Sequence, residues 1–325
     1  MLLMVPTGPR RTIVPMSHGT RRRRARTGRR RPLVHAVVAS AALLTATAGT
    51  TVYVKAQAHD ATALVSKVAT AGGGSVSPSA SPTVNRDARL AEAVRSAAGG
   101  HDGEVSVAVL DVAAGTSAAY ASGDGTYDTA SVVKVDVLAA LLLRAQDDGR
   151  VLTAQEKTYA TAMIEKSDNA ATTALWDTIG GADGLDAANE RLGLTGTSGG
   201  DGPLWGLTQT TAADQLALLK QVFGVGDSVL STASRTYVQR LMGNVESDQA
   251  WGVSAAGAAG SELKNGWLRR STTELWDINS VGRVSVDGTR YLVAVLSNGS
   301  ATKDGGISLV EDVAKAAVTT LSDDG

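Results

Sequence analysis

Any nucleophilic chemistry in this chain has to manage almost without imidazole. Beyond the Gly-, Ser- and Pro-rich stretch 71–83 there is one histidine, His101, in the loop Gly99-Gly100-His101-Asp102-Gly103, where it is expected to face solvent. Cysteine is absent, which excludes a thiol nucleophile and a cysteine-ligated zinc site. The base must then be a lysine or a carboxylate. Ser131-Val132-Val133-Lys134 offers such a pair. Residues three apart on a helix share a face, so the Lys134 amine can reach the Ser131 hydroxyl. To take its proton the amine must be neutral, a state that burial and nearby positive charge favour. The Ser131 N–H, at a helix N-terminus, would be one donor to a developing oxyanion. Alone, the pair is also what a common N-cap beside a common surface residue looks like.

Its company changes that. Ser167-Asp168-Asn169 follows within 163–175 (MIEKSDNAATTAL), and Lys264-Asn265-Gly266 falls in an expected strand near the end. In this order the three match the S-x-x-K, S-D-N and K-T-G elements of class A β-lactamases and penicillin-binding proteins. The sequence resembles that serine hydrolase superfamily over roughly residues 88–322. The resemblance implies a Ser131 acyl-enzyme formed from an amide of a β-lactam or a peptidoglycan-like peptide. It implies that Ser167 relays a proton between Lys134 and the leaving nitrogen and that Asn169 holds the substrate's side-chain amide. Lys264 would attract the substrate carboxylate and help depress the Lys134 pKa. The Trp267 N–H would be the second oxyanion donor, and Gly266 would let backbone and substrate approach closely. Asp168 is expected to be structural, turning its loop through backbone N–H groups.

Two departures from the family pattern bear on turnover. Class A enzymes resemble one another in a loop Glu, within E-x-x-L-N, that activates water to free the acyl-enzyme. Segment 193–209 (GLTGTSGGDGPLWGLTQ) has no such motif, and its one carboxylate, Asp201, is the possible deacylation base. Asp is shorter than Glu, and acylation and deacylation are separate steps, so the pattern argues against efficient β-lactam hydrolysis. Asn265 stands where the family has Thr or Ser, which keeps a donor but loses a hydroxyl for the substrate carboxylate. Three functions follow: a β-lactamase-like hydrolase, a D,D-peptidase or penicillin-binding protein with slow deacylation, and a non-catalytic wall- or antibiotic-binding relative. The last is disfavoured, because a chain relieved of catalysis has no physical reason to keep Ser131, Lys134, Ser167 and Lys264 together.

These residues need a scaffold. Leu90, Val94 and Ala97 recur at helical spacing in 87–98. Residues 104–111 alternate in part as a strand, with 116–121 as hairpin partner. A long apolar helix is expected over 131–145, and helical pattern continues to about Leu241. Strand patterns return at 261–267, 273–279, 281–286 and 291–297, with Asp287-Gly288 as the last turn. A final helix over 308–321 carries Val310, Val313, Ala317 and Leu321 on one face. Strands at both ends around a helical middle predict an α+β fold: a β-lactamase/D,D-peptidase-like antiparallel sheet flanked by helices, with an inserted all-α subdomain.

Composition sets the remaining bounds. With 43% hydrophobic and 19% charged residues and one phenylalanine, Phe223, the core must be built from Ala, Val and Leu. Trp251 and Trp267 are expected to pack into it. Ten arginines precede residue 32, whereas all 32 acidic but only 20 of the 31 basic residues lie from Asp60 onward. That acidic remainder argues against a nucleic-acid partner. The apolar run 32–54 is long enough to cross a bilayer, since about 20 residues suffice. The arginines would keep the N-terminus cytoplasmic. Ala56-Gln57-Ala58 is a small-residue cleavage site; if it is not cut, 32–54 remains in contact with the membrane as an anchor. The expected organisation is a basic N-region with signal peptide or signal anchor (1–58), a linker (59–86) and a hydrolase domain (87–325) at the cell surface or outside the cell. No metal or other cofactor is expected, since Gly72-Gly73-Gly74 and Gly180-Gly181 lack the context of a nucleotide loop, and the protein is expected to be a monomer.

Overall fold

Val-rich stretches from both ends of the folded region pair into one sheet, and the apolar middle folds into helices beside it. The computed structural model describes residues 85–323 other than 102, 258 and 259. The N-region and almost all of the linker therefore lie outside the described residues. Helix α1 (Arg86–Ala98), capped by the Asn85 side chain, leads into strands β1 (Glu104–Asp111), β2 (Ser117–Ala121) and the short β3 (Tyr127–Asp128). A 3-10 turn at Ala130–Val132 opens α2 (Val133–Asp147), followed by α3 (Ala154–Glu165), α4 (Asn169–Ile179) and α5 (Gly181–Leu192). Next come β4 (Gln209–Thr210), α6 (Ala212–Phe223), α7 (Thr232–Met242), strands β5 (Glu262–Arg269), β6 (Trp276–Val286) and β7 (Thr289–Ser300), and α8 (Lys303–Ser322).

The main sheet has the order β2-β1-β7-β6-β5, antiparallel throughout. β3 and β4 form a separate small ladder. The α+β expectation is met. One core lies between the sheet and α1 and α8, with Leu90, Val94, Val293, Val310 and Val313 buried in it. The other holds the helical subdomain, with Leu138, Leu141, Leu175, Leu218 and Leu296. A helix that is apolar all round must be buried. Accordingly α2, buried at nearly every position from Val133 to Leu143, is packed by α3, α4, α5 and α7. Among the described residues no helix is long and apolar enough to cross a membrane; the run 32–54 lies outside them.

Several boundaries differ from expectation. The expected strands 273–279 and 281–286 are one continuous strand, β6. Asn279 and Ser280, polar in sequence, are fully buried within it because both are hydrogen-bonded inside the protein. The following hairpin turn is as expected: Asp287 (φ 49°) and Gly288 (φ 84°) both adopt the left-handed conformation that a two-residue turn of this kind requires. Helix α8 begins before residue 308, where the Thr302 hydroxyl accepts from Gly305 N–H. His101 is half-buried rather than exposed, its Nε2 3.5 Å from Asp312 Oδ2 on α8.

Candidate active site

Ser131 lies in the 3-10 turn, not on α2 itself, and the preceding Ala130 is held at φ 47°. A non-glycine residue there costs about 1 kcal/mol or more and persists only where the surroundings enforce it. Lys134, on the first turn of α2, is fully buried with its Nζ 2.8 Å from Ser131 Oγ. The same nitrogen is 3.0 Å from Ser167 Oγ, 2.8 Å from Ser167 O and 2.9 Å from Asn169 Oδ1. Ser167 is also left-handed, at φ 55°. Asp168 behind it caps α4, accepting from Ala171 N–H at 2.7 Å, which is the structural part expected of it. Lys264, fully buried on β5, completes the group, with Nζ 3.1 Å from Ser167 Oγ and 2.9 Å from Asn265 O. Ser131, Lys134, Ser167 and Lys264, from three distant segments, are thus brought together, with the Ser167 hydroxyl in contact with both lysines.

Burial lowers the Lys134 pKa to about 7, against the opposing pull of Asp168. Burial and then the Lys134 charge push Lys264 well below the usual lysine range. Desolvation is the leading cause at both lysines, and the repulsion between the two ammonium groups acts in the same direction. A lysine near 7 is neutral for much of the time at physiological pH and can act as a base.

The other three predicted positions are explained by the alternation of side chains along a strand. Lys264, Gly266 and Leu268 look toward the helical subdomain, while Leu263, Asn265 and Trp267 look toward the core beneath α8. Asn265 is therefore not a carboxylate contact. Its Nδ2 donates to Gln249 O (2.6 Å) and Trp251 O (3.0 Å), and its Oδ1 accepts from Ser280 Oγ (2.6 Å). Gly266 permits a close approach of backbone to backbone: a Cβ there would lie 2.7 Å from Ser131 N and 2.8 Å from Thr129 O. The Trp267 ring packs against Trp251 with centroids 6.0 Å apart, beneath Lys303, which accords with core packing for both tryptophans. Its backbone N–H lies on β5, an edge strand whose alternate backbone groups have no strand partner.

Asp201 is in an exposed turn, with no hydrogen bond or ion pair to the four converging residues. Two residues that sequence reasoning passed over do reach the site. The Trp205 ring lies 5.0 Å from Lys134 Nζ, and its Nε1 donates to Thr173 Oγ1 at 3.2 Å. Asn279 Nδ2 donates to Asp128 O (2.8 Å) and Thr129 O (3.0 Å), fixing the segment that enters the Ser131 turn. Beside Trp205 opens a cavity of about 630 Å³ lined by Thr173, Leu204, Leu207, Leu268 and Arg269.

A model of the beta-lactamase enzyme family matches residues 151–321, more than half of the 325 residues. The chain belongs to the beta-lactamase enzyme family. The match includes Ser167, Asn169 and Lys264; Ser131 and Lys134 precede it. Solved structures share the fold at low identity. A class A beta-lactamase of Bacteroides cellulosilyticus is 17% identical with TM-score 0.63, over 74% of this chain and 100% of that one. The TLA-1 extended-spectrum beta-lactamase is 15% identical with TM-score 0.64, over 73% and 99%. A variant of PBP-A in an acyl-enzyme complex with penicillin G is 20% identical with TM-score 0.60, over 73% and 97%. No curated protein matches the sequence.

Proposed function

We propose that this member of the beta-lactamase family is an exported serine hydrolase that acts on amides of β-lactams or peptidoglycan-like peptides through an acyl-enzyme at Ser131. The observation that carries the proposal is the buried Lys134 amine, 2.8 Å from Ser131 Oγ with a pKa lowered to about 7. In acylation Ser131 Oγ attacks the amide carbonyl and its proton passes to Lys134 Nζ. The C–N bond then breaks, and the leaving nitrogen takes a proton through Ser167, which touches both lysines. The N–H groups of Ser131 and Trp267 stabilise the oxyanion, and Lys264 attracts the substrate's carboxylate. Export rests on the arginines, the apolar run and the Ala56-Gln57-Ala58 site.

A D,D-peptidase or penicillin-binding activity with slow deacylation is favoured over rapid β-lactam turnover by one feature. Among the described residues, no carboxylate forms an ion pair or hydrogen bond with Lys134, and Asp201 is exposed. The test is the intact mass of the protein mixed with a chromogenic cephalosporin, beside Ser131→Ala, while colour release is followed. A stable adduct on the wild type alone supports a penicillin-binding site, and continuous turnover lost in the variant supports a β-lactamase. No adduct and no turnover would remove Ser131 from the chemistry.

A further inference from the structure

We infer that Trp205 is a water shield, a positioning residue whose indole keeps the Ser131 ester from hydrolysis and makes this protein an acyl-holding enzyme. The inference rests on the acyl-enzyme proposed above and adds the element that decides its lifetime.

Lys134 Nζ has four oxygen neighbours within 3.0 Å, from Ser131, Ser167 and Asn169. The indole face of Trp205 covers it from a further direction, 5.0 Å away. Nor is the ring loosely placed. Its Nε1 is bonded to Thr173 on α4, the helix that begins with Asn169. Its own backbone belongs to a 3-10 turn, Trp205–Leu207. That turn ends at Thr208, whose carbonyl accepts from Thr129 N–H at 2.8 Å. The loop carrying the shield is therefore fastened to two of the three segments that carry the site residues, the Ser131 turn and α4.

The two half-reactions differ in what this arrangement allows. Acylation needs only groups already in contact: the Ser131 oxygen, the Lys134 nitrogen, and Ser167 to pass the proton to the leaving amine. Hydrolysis needs a water that adds to the ester carbonyl, a base that takes the water's proton, and return of a proton to Ser131 Oγ as the ester C–O bond breaks. An apolar ring over Lys134 keeps that water away from the base. Among the described residues, no carboxylate is hydrogen-bonded to Lys134 to serve as a second base. The first half-reaction proceeds and the second is suppressed.

The experiment measures acylation rate and adduct lifetime separately, by intact mass with penicillin G followed by removal of free drug. Wild type, Trp205→Ala, Trp205→Phe and Thr173→Val are compared after their melting temperatures have been checked. Trp205→Ala should shorten the adduct lifetime roughly tenfold or more while acylation changes only a few-fold. Trp205→Phe, which keeps a ring, should restore most of the lifetime, a rescue that a purely structural role for the loop does not require. Should Trp205→Ala fail to fold, Thr173→Val frees the ring in an otherwise intact loop and should shorten the lifetime more modestly. An adduct as durable in Trp205→Ala as in wild type overturns the shield. So does a Phe variant that deacylates as fast as Ala, or rapid continuous turnover by the wild type. Absence of any wild-type adduct or turnover overturns the acyl-enzyme itself, and is seen before any change at Trp205.

Discussion

At the scale of single residues, Lys134 is the group on which rate should depend most visibly. Burial holds its pKa to about 7, so it is protonated and inactive as a base below that value and neutral above it. The rate of acylation by a β-lactam, followed by adduct formation across pH 5 to 9, is expected to climb about tenfold per pH unit below about 7 and then level off. Lys134→Arg should abolish it at every pH, because a guanidinium is never neutral in this range. A rate that is flat across the window, or that falls as pH rises, would mean another base. The Ser131 to Lys134 spacing was legible in the sequence because i, i+3 spacing brings the two together even though Ser131 lies in the 3-10 turn that leads into α2. The reach of Trp205 was not: it is a lone tryptophan in a glycine-rich segment without periodicity, and only the folded loop sets it over Lys134. Asn265 could have been read better, since adjacent residues on a strand face opposite sides. With Lys264 in the site, Asn265 had to turn away from it.

At the scale of elements, the site is a junction between the edge of a sheet and the first turn of a helix. Strand β5 approaches the Ser131 turn so closely that only a hydrogen fits at position 266. The neighbours of an added Cβ are backbone atoms of Thr129, Ser131 and Val132, none of which can swing aside as a long side chain would. Gly266→Ala is therefore expected to destabilise the protein by about 1–3 kcal/mol, as overpacking does, and to push apart the backbone N–H groups of β5 and the turn that we propose as oxyanion donors. Thermal melting and acylation rate should both fall, acylation the more steeply. An alanine variant with full acylation rate would mean that the junction is looser than the structure has it. Elements with a regular apolar period, such as α2 and α8, were readable in advance. The expected strands 273–279 and 281–286 leave Ser280 between them, where β6 runs on without a break. A buried polar residue is tolerated mid-strand when its partners are supplied, and those partners, Asp128 O, Thr129 O and Asn265 Oδ1, come from segments far away in sequence.

At the scale of the whole molecule, α2, the helix that follows Ser131, also carries a buried carboxyl, Asp136. Asp136, two residues beyond Lys134, is completely buried on the face of α2 that meets α5. Burial first, then Asp186 and Asp214, push its pKa up to about 8. With its nitrogen turned toward Asp136, the Asn189 amide donates to both carboxylate oxygens, at 3.0 and 3.2 Å, and so offsets part of that rise. In the unfolded chain the same carboxyl ionises near 3.8. A folded pKa above the unfolded one gives stability that is complete below about 4 and is lost as pH rises toward about 8, because the native state binds the extra proton in that window. The buried lysines slope the other way: Lys134 gains stability only above about 7, and Lys264, whose pKa burial also lowers, contributes with the same sign. The raw melting curve therefore mixes opposing contributions, and a comparison of variants separates them. Asp136→Asn removes the ionisation while keeping the shape and a group that can meet Asn189. Its melting temperature relative to wild type should rise steadily between pH 4 and 8, by several degrees in all, whereas the lysine contributions cancel in the difference. A difference that stays constant across that range would place Asp136 as an ordinary ionised carboxylate whose charge Asn189 fully supports.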